Sequence, residues 1–193
     1  MKIGIVSDVH CNAAGLEAAF DLMGDVDEIL CAGDSVTQVR FSNEVLALLR
    51  DRGVRTVLGN HDVEYINRVA HLPSQRGVVD DALVDWLRNQ PETLEMDLAG
   101  KRLLMVHATP WTRDYVYPGS REMKRFAEVD ADFVLGGHTH SLFSGRFGRA
   151  LVVNPGSTGE GRDLGEGPKL TCAILDTVTD EVRLLSFPEV RSL

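Results

Sequence analysis

"KIGIVSDVH", residues 2–10, sets a short apolar run against an abrupt polar end. An apolar run of this length, closed by a turn signal, reads as a buried strand. The strand covers residues 2–6 and stops at Ser7-Asp8. The segments that follow decide what kind of sheet it joins. "AAGLEAAFDLM", residues 13–23, has apolar positions at helical spacing, with Asn12 placed to cap the helix. "EILCAGD", residues 28–34, reads as a second strand, and "VRTVLGN", residues 54–60, as a third. Between them "SNEVLALLRDRG", residues 42–53, is an amphipathic helix with Ser42 as N-cap and Gly53 as stop. Strand and helix alternate through the first sixty residues, which argues for βαβ units and a parallel sheet.

The pattern then changes. Helices are expected over 62–70, 79–89 and in "SREMKRFAEV". Residues 93–110 read as two strands joined by Ala-Gly-Lys, "DFVLGGH" as another, and from 142 onward short strands alternate with turns. An α/β order giving way to a β order implies two packed sheets flanked by helices. The glycine-rich stretch 157–168 reads as a mobile surface loop. The 193 residues suit a single domain over 1–193, and no linker or repeat interrupts them.

Composition narrows the function. Apolar residues are 44% and charged residues 25%, an ordinary globular balance. The net charge of −9 and the lack of a strong lysine or arginine cluster disfavour stable nucleic-acid binding. Cys11, Cys31 and Cys172 are odd in number and far apart, so a disulfide framework or thiolate zinc site is not expected; they read as small buried apolar residues. No apolar run approaches a membrane span, and "MKIGIVSD" reaches an aspartate too soon for a secretory leader, so the expected location is cytoplasmic. Nothing in charge or pattern excludes a homo-oligomer.

The polar residues at the predicted strand ends form a constellation. Strand one ends in Asp8-x-His10, strand two in Gly33-Asp34, and strand three in Gly59-Asn60-His61-Asp62. The strand at 102–106 ends in His107, and a later one in Gly136-Gly137-His138-x-His140. Five of the six histidines stand in these termini; His71 does not and reads as an ordinary exposed or half-buried residue. Ligands of α/β sheets bind outside the carboxyl ends of strands. If these segments are extended, residues i and i+2 point to one side, so Asp8 with His10, and His138 with His140, project as pairs. Imidazole, carboxylate and amide oxygen suit borderline ions such as Mn²⁺, Fe²⁺, Zn²⁺, Co²⁺ or Ni²⁺.

The order D-x-H, G-D, G-N-H-D, H, G-H-x-H over residues 8–140, extended by "NPGS" at 154–157, resembles the calcineurin-like metallophosphoesterase superfamily, and the length resembles its small bacterial and archaeal phosphodiesterase branch. The resemblance implies a four-layer α/β/β/α sandwich of two mixed sheets flanked by helices. It implies two divalent transition-metal ions, with manganese the favoured activator. Asp8, His10 and His140 would bind one; Asn60, His107 and His138 the other; Asp34 would bridge them. The implied activity is hydrolysis of a phosphodiester or phosphomonoester by in-line attack of a hydroxide shared between the ions, the diester being preferred. His61 would face the scissile phosphate, with Asp62 orienting its ring. Two divalent ions less Asp8, Asp34 and a hydroxide leave the centre positive, and Asn60 preserves that surplus where an aspartate would cancel it. The partner expected is a small phosphate ester, a nucleotide among the candidates.

Around this centre the readings stay open. Asn12, a cap residue near the site, and Arg113, placed to meet a phosphate, are the candidate substrate contacts. Trp111, Tyr115 and Tyr117 either pack their loop down or stack on a substrate base. Two departures from the family pattern stand out. Ala108 follows His107 where the family often has glycine, and Cys11 stands between His10 and Asn12 where it often has "HGN". If Ala108 takes a positive φ, the cost is about 1 kcal/mol. Two other classes compete with the hydrolase: a scaffold of the same fold that lost catalysis and binds other proteins, and a nuclease acting on DNA ends. The first predicts missing ligands, yet all seven positions are competent; the second conflicts with the acidic charge.

Overall fold

Alternation along the first strand sets the layering. Ile3 and Ile5 face one side and are fully buried, while Gly4 lies under Met23 on the other. The structure, a computed structural model, describes residues 1–165 and 167–191. In chain order the elements are β1 (Lys2–Val6), α1 (Ala13–Met23), β2 (Glu28–Cys31), α2 (Asn43–Asp51), β3 (Arg55–Thr56), α3 (Asn60–Arg68) and α4 (Asp81–Arg88). Then follow β4 (Thr93–Leu98), β5 (Lys101–Val106), a 3₁₀ segment (Arg121–Glu128), β6 (Phe133–Leu135), β7 (Leu142–Phe147), β8 (Ala150–Pro155), β9 (Arg162–Asp163), β10 (Pro168–Asp176) and β11 (Glu181–Pro188).

They form two mixed sheets. The first runs β11-β10-β1-β2-β3, with β9 on β10; the second runs β4-β5-β6-β8-β7. β1, β2 and β3 are parallel, as are β5, β6 and β8, and the outer partners are antiparallel. The sheets pack face to face through Ile3, Ile5, Leu30 and Val57 against Met105, Phe133, Leu135 and Val153. α1 and α2, with α3 and α4, cover the outer face of the first sheet through Leu16, Phe20, Leu46, Leu49, Tyr65 and Leu87. The expected sandwich is therefore present. Its fourth layer is the 3₁₀ segment rather than an α-helix. Met123 and Phe126 are its buried residues, and a spacing of three aligns them on one face in 3₁₀ geometry.

The sequence misplaces two boundaries near the site. α3 begins at Asn60, not at 62, because the Asp62 carboxylate reaches back to accept from the Gly59 amide (2.9 Å) and starts the helix at the strand end. The glycine-rich stretch is not a loose loop at its start. The amides of Thr158 and Gly159 donate to the carbonyls of Ser7 and Asp8, and a Cβ on Gly159 would lie 2.0 Å from the Val9 carbonyl. Glycine there serves close approach, a use that composition cannot distinguish from flexibility. Among the described residues no helix is long and apolar enough to cross a membrane.

Candidate metal centre

The carboxyl ends of β1, β2, β5 and β6 and the start of α3 meet at one end of the seam between the sheets. The turns there are left-handed rather than extended. Asp8 (φ 52°), His10 (46°), Asp34 (55°), His138 (67°) and His140 (53°) all take positive φ. Pairing of i and i+2 thus holds for a reason other than pleating: the backbone coils after each strand and turns both side chains inward. Such conformations cost of order 1–3 kcal/mol each and gather at functional sites. Ala108 is absent from the positive-φ residues, so the strain expected there does not arise; it falls instead on Cys11, at φ 65°.

Three groups of ligand atoms converge: Asp8 with His10 and His140, Asp34 with His107 and His138, and His10 with Asp34 and His61. In the first, His140 Nε2 lies 3.2 Å from Asp8 Oδ1 and 3.1 Å from His10 Nε2. In the second, His107 Nε2 stands 3.3 Å from Asp34 Oδ2, 3.1 Å from Asn60 Oδ1 and 3.3 Å from His138 Nδ1. Asp34 belongs to both sides, and the His61 amide at the start of α3 donates to its Oδ1 (2.9 Å). A helix N-terminus favours such an anion.

These residues fit cations. His107 Nδ1 lies 2.7 Å from the Ala32 carbonyl, which can only accept, so Nδ1 carries a proton. In a neutral ring Nε2 then aims a lone pair at two oxygens and a second imidazole, an arrangement that calls for a positive charge between them. Asp8 Oδ1 and His138 Nε2 are buried without a hydrogen-bond partner among the described residues. The metal-free protein supplies the charge with protons. Burial lowers the His107 pKa, but the charge and hydrogen bond of Asp34 outweigh it and raise it to about 9. Burial raises Asp8, yet the His140 imidazole 3.2 Å away and the charges of His107 and His140 hold it at about 2. Burial, then the positive His107, push His138 down; burial also lowers His10.

A supporting shell fixes these groups. Ser7 Oγ donates to Asp8 Oδ2 (2.6 Å), as does the His138 amide (3.0 Å), and Ser157 Oγ donates to the Asp8 carbonyl (2.7 Å). Glu160 lies 3.6 Å from His140 Nδ1. Gly137 has no room for a side chain: a Cβ would sit 1.9 Å from Ser7 Oγ and 2.5 Å from Asp8 Oδ2. Ser7 and Glu160 gave no signal in the sequence, whereas "NPGS" pointed to Ser157.

Three of the expected residues are engaged within the protein. Asp62 does not orient the His61 ring. Its buried carboxylate accepts from the Gly59 and Val36 amides, and burial with the Asp34 charge raises its pKa to about 7. The Gln38 amide donates to His61 Nδ1 instead (3.2 Å). Asn12 spends its amide on capping α1 and on the carbonyls of Gly159 and Val190, although it lines a groove of about 420 Å³ beside His10. Arg113 is ion-paired with Glu92 at the rim of a second groove, about 320 Å³, that reaches Asn60 and His107. His71 is exposed and outside the cluster. All three cysteines are buried and unpaired, and burial pushes the Cys31 and Cys172 thiols up to about 12.

Known proteins share this arrangement of chain. The crystal structure of a metallophosphoesterase from Sphaerobacter thermophilus superposes with a TM-score of 0.80 at 25% identity, covering 97% of this chain and 89% of that one. A probable metallophosphoesterase of Methanothermobacter thermautotrophicus is 29% identical, over 81% of this chain and 77% of that protein. A symmetrical bis(5'-nucleosyl)-tetraphosphatase of Paracidovorax citrulli is 36% identical over 68% of this chain, and the match spans 53% of that protein. Residues 1–180 match the calcineurin-like phosphoesterase superfamily domain. With the ordered strand-end motifs and the two-sheet sandwich, this match places the chain in the calcineurin-like phosphoesterase superfamily.

Proposed function

We propose that this protein hydrolyses a small phosphate ester, a diester in preference to a monoester, at a centre of two divalent transition-metal ions. The observation that carries the reading is the convergence of Asp8, His10 and His140 on one side of Asp34, and of His107, His138 and Asn60 on the other. Asp8, His10 and His140 would hold one ion, Asn60, His107 and His138 the second, and Asp34 both. When bound, the ions, with manganese the favoured activator, supply Lewis acidity and a water acidic enough to attack phosphorus at neutral pH. Only Asp8 and Asp34 among the ligands are anionic, so the centre retains positive charge for a phosphate inside an acidic chain.

His61 has a defined part. Because the Gln38 amide donates to Nδ1, the neutral ring carries its proton on Nε2, the nitrogen that lies 3.9 Å from Asp34. In this reading that proton goes to the leaving oxygen. The relatives named as bis(5'-nucleosyl)-tetraphosphatases support a nucleotide-sized substrate.

The test is metal analysis together with turnover of a chromogenic phosphodiester and its matching monoester with Mn²⁺. Asp34→Ala and His138→Ala should lose metal and activity together. His61→Ala should keep metal and lose about 10²–10⁴-fold in turnover, the usual contribution of a general acid. Absence of turnover with either ester by metal-loaded protein would refute the hydrolase and favour a scaffold.

A further inference from the structure

We propose that Tyr115 and Tyr117 form a stacking platform for the base of a nucleotide whose phosphates lie at the metal centre. The proposal rests on the phosphoesterase reading above and names its substrate class.

The segment after His107 is anchored without these tyrosines. Trp111 packs edge-on against Phe126, with ring centroids 4.7 Å apart, and Arg125 lies over its face at 4.6 Å. Val116 is buried with Met123, Phe126 and Val134 in the outer core of the second sheet. Its neighbours on either side turn the other way: Tyr115 is 57% exposed and Tyr117 48%. Aromatics that pin a loop are buried; these two are presented.

They are also ordered relative to the site. Tyr115 lies flat against the His138 imidazole, with centroids 4.0 Å apart and planes 17° from parallel. Tyr117 is parallel to Tyr115 within 11°, at 5.8 Å. Three nearly parallel rings therefore lead from a metal-ligand candidate out to solvent. Offset stacking of flat rings is the preferred aromatic geometry, and any nucleobase offers a π-face to it. The platform selects a nucleotide over a bare phosphate ester, without fixing which base. Arg113 does not compete for the phosphates, since Glu92 neutralises it. The phosphates are drawn to the positive centre and the base to the rings beside it.

Binding decides the matter independently of turnover. Calorimetry on Mn²⁺-loaded protein would compare adenosine 5'-monophosphate with ribose 5-phosphate, which carries a hydroxyl where the nucleotide has its base. The wild type should bind the nucleotide at least about fivefold tighter, the low end for a base on an aromatic. Tyr117→Ala should remove most of that preference and Tyr117→Phe should keep it. Tyr117 stacks on Tyr115 rather than on a candidate ligand, so its loss spares the metal shell; metal content of each variant verifies this. Equal affinities in the wild type would overturn the platform, as would a preference that survives in a Tyr115→Ala/Tyr117→Ala protein that still holds metal. A base preference without ester hydrolysis would reject the hydrolase and keep the platform. Hydrolysis without base preference would reject the platform alone.

Discussion

Asp8 carries more of the site than its one carboxylate suggests. Oδ2 takes donors from Ser7 and the His138 amide, its carbonyl takes Ser157 and Gly159, and Oδ1 is left for a cation. It holds this arrangement in a left-handed conformation that only those contacts make tenable. Gly137 is the point at which the arrangement is most easily broken. Gly137→Ala would drive a methyl into Ser7 Oγ and Asp8 Oδ2, and neither can retreat without losing a buried hydrogen bond. We expect Gly137→Ala to lose bound metal and nearly all turnover, measured by metal content per chain; full metal occupancy would contradict the packing argument. A milder change, Ser7→Ala, removes one hydrogen bond to a buried carboxylate, about 1.5–3 kcal/mol. Its metal affinity should fall roughly 10–100-fold, as for other outer-shell groups. That these side chains come together was legible in sequence, because histidines and aspartates grouped at strand ends have few structural uses. Ser7, Gln38 and Glu160 were not, because what they contribute is an approach in space, and Gln38 acts through a backbone amide that every residue possesses.

One turn among the elements holds His61, the proposed general acid. Residues 37–40 fold back so that Thr37 Oγ1 accepts from the Arg40 amide (2.9 Å) and the Thr37 amide donates to the Arg40 carbonyl (3.0 Å). This geometry points the Gln38 amide at His61. Asp62 ties the same loop to α3 through Val36, so it acts on His61 at one remove. Thr37→Ala should lower kcat by several-fold to tenfold with metal content and KM little changed, while Thr37→Ser restores the rate. Loss of metal in Thr37→Ala, or an unchanged kcat, would remove the turn from this role. The same region shows how far elements could be read. β1, α1 and α2 end close to where the sequence places them, since full periods and caps define them. β3 shrinks to Arg55–Thr56 and α3 starts early, because a carboxylate three residues inside the helix sets that boundary, not periodicity. The 3₁₀ segment gives too few turns to separate its spacing from that of an α-helix.

The whole molecule is joined at this centre. Asp8, His10, Asp34 and Asn60 follow strands of the first sheet, and His107, His138 and His140 follow strands of the second, so each proposed ion would be held from both sheets. Metal binding and stability are then linked, and His107 gives the sign. Its folded pKa, about 9, lies above the ordinary 6.5. The stability it contributes to the metal-free protein is complete below pH 6.5 and is lost as pH rises through about 9. Asp8, at about 2, has titrated well below this window. Asp62, raised to about 7 from 3.8, pulls in the same direction at the window's lower edge. Chelator-treated protein should therefore melt at a lower temperature at pH 9 than at pH 7. The proposed ions would need the bare Nε2 that the proton occupies, so alkaline pH would strengthen their binding. The gap in Tm between Mn²⁺-loaded and metal-free protein should consequently widen from pH 7 to pH 9, and metal uptake at pH 7 should release a proton detectable by calorimetry in buffers of different ionisation enthalpy. His107→Gln has no proton to release there and should flatten the metal-free Tm across the window. A metal-free Tm that rises between pH 7 and 9 would mean that the proton on His107 does not stand in for the cation, and the link between the two sheets would have to lie elsewhere.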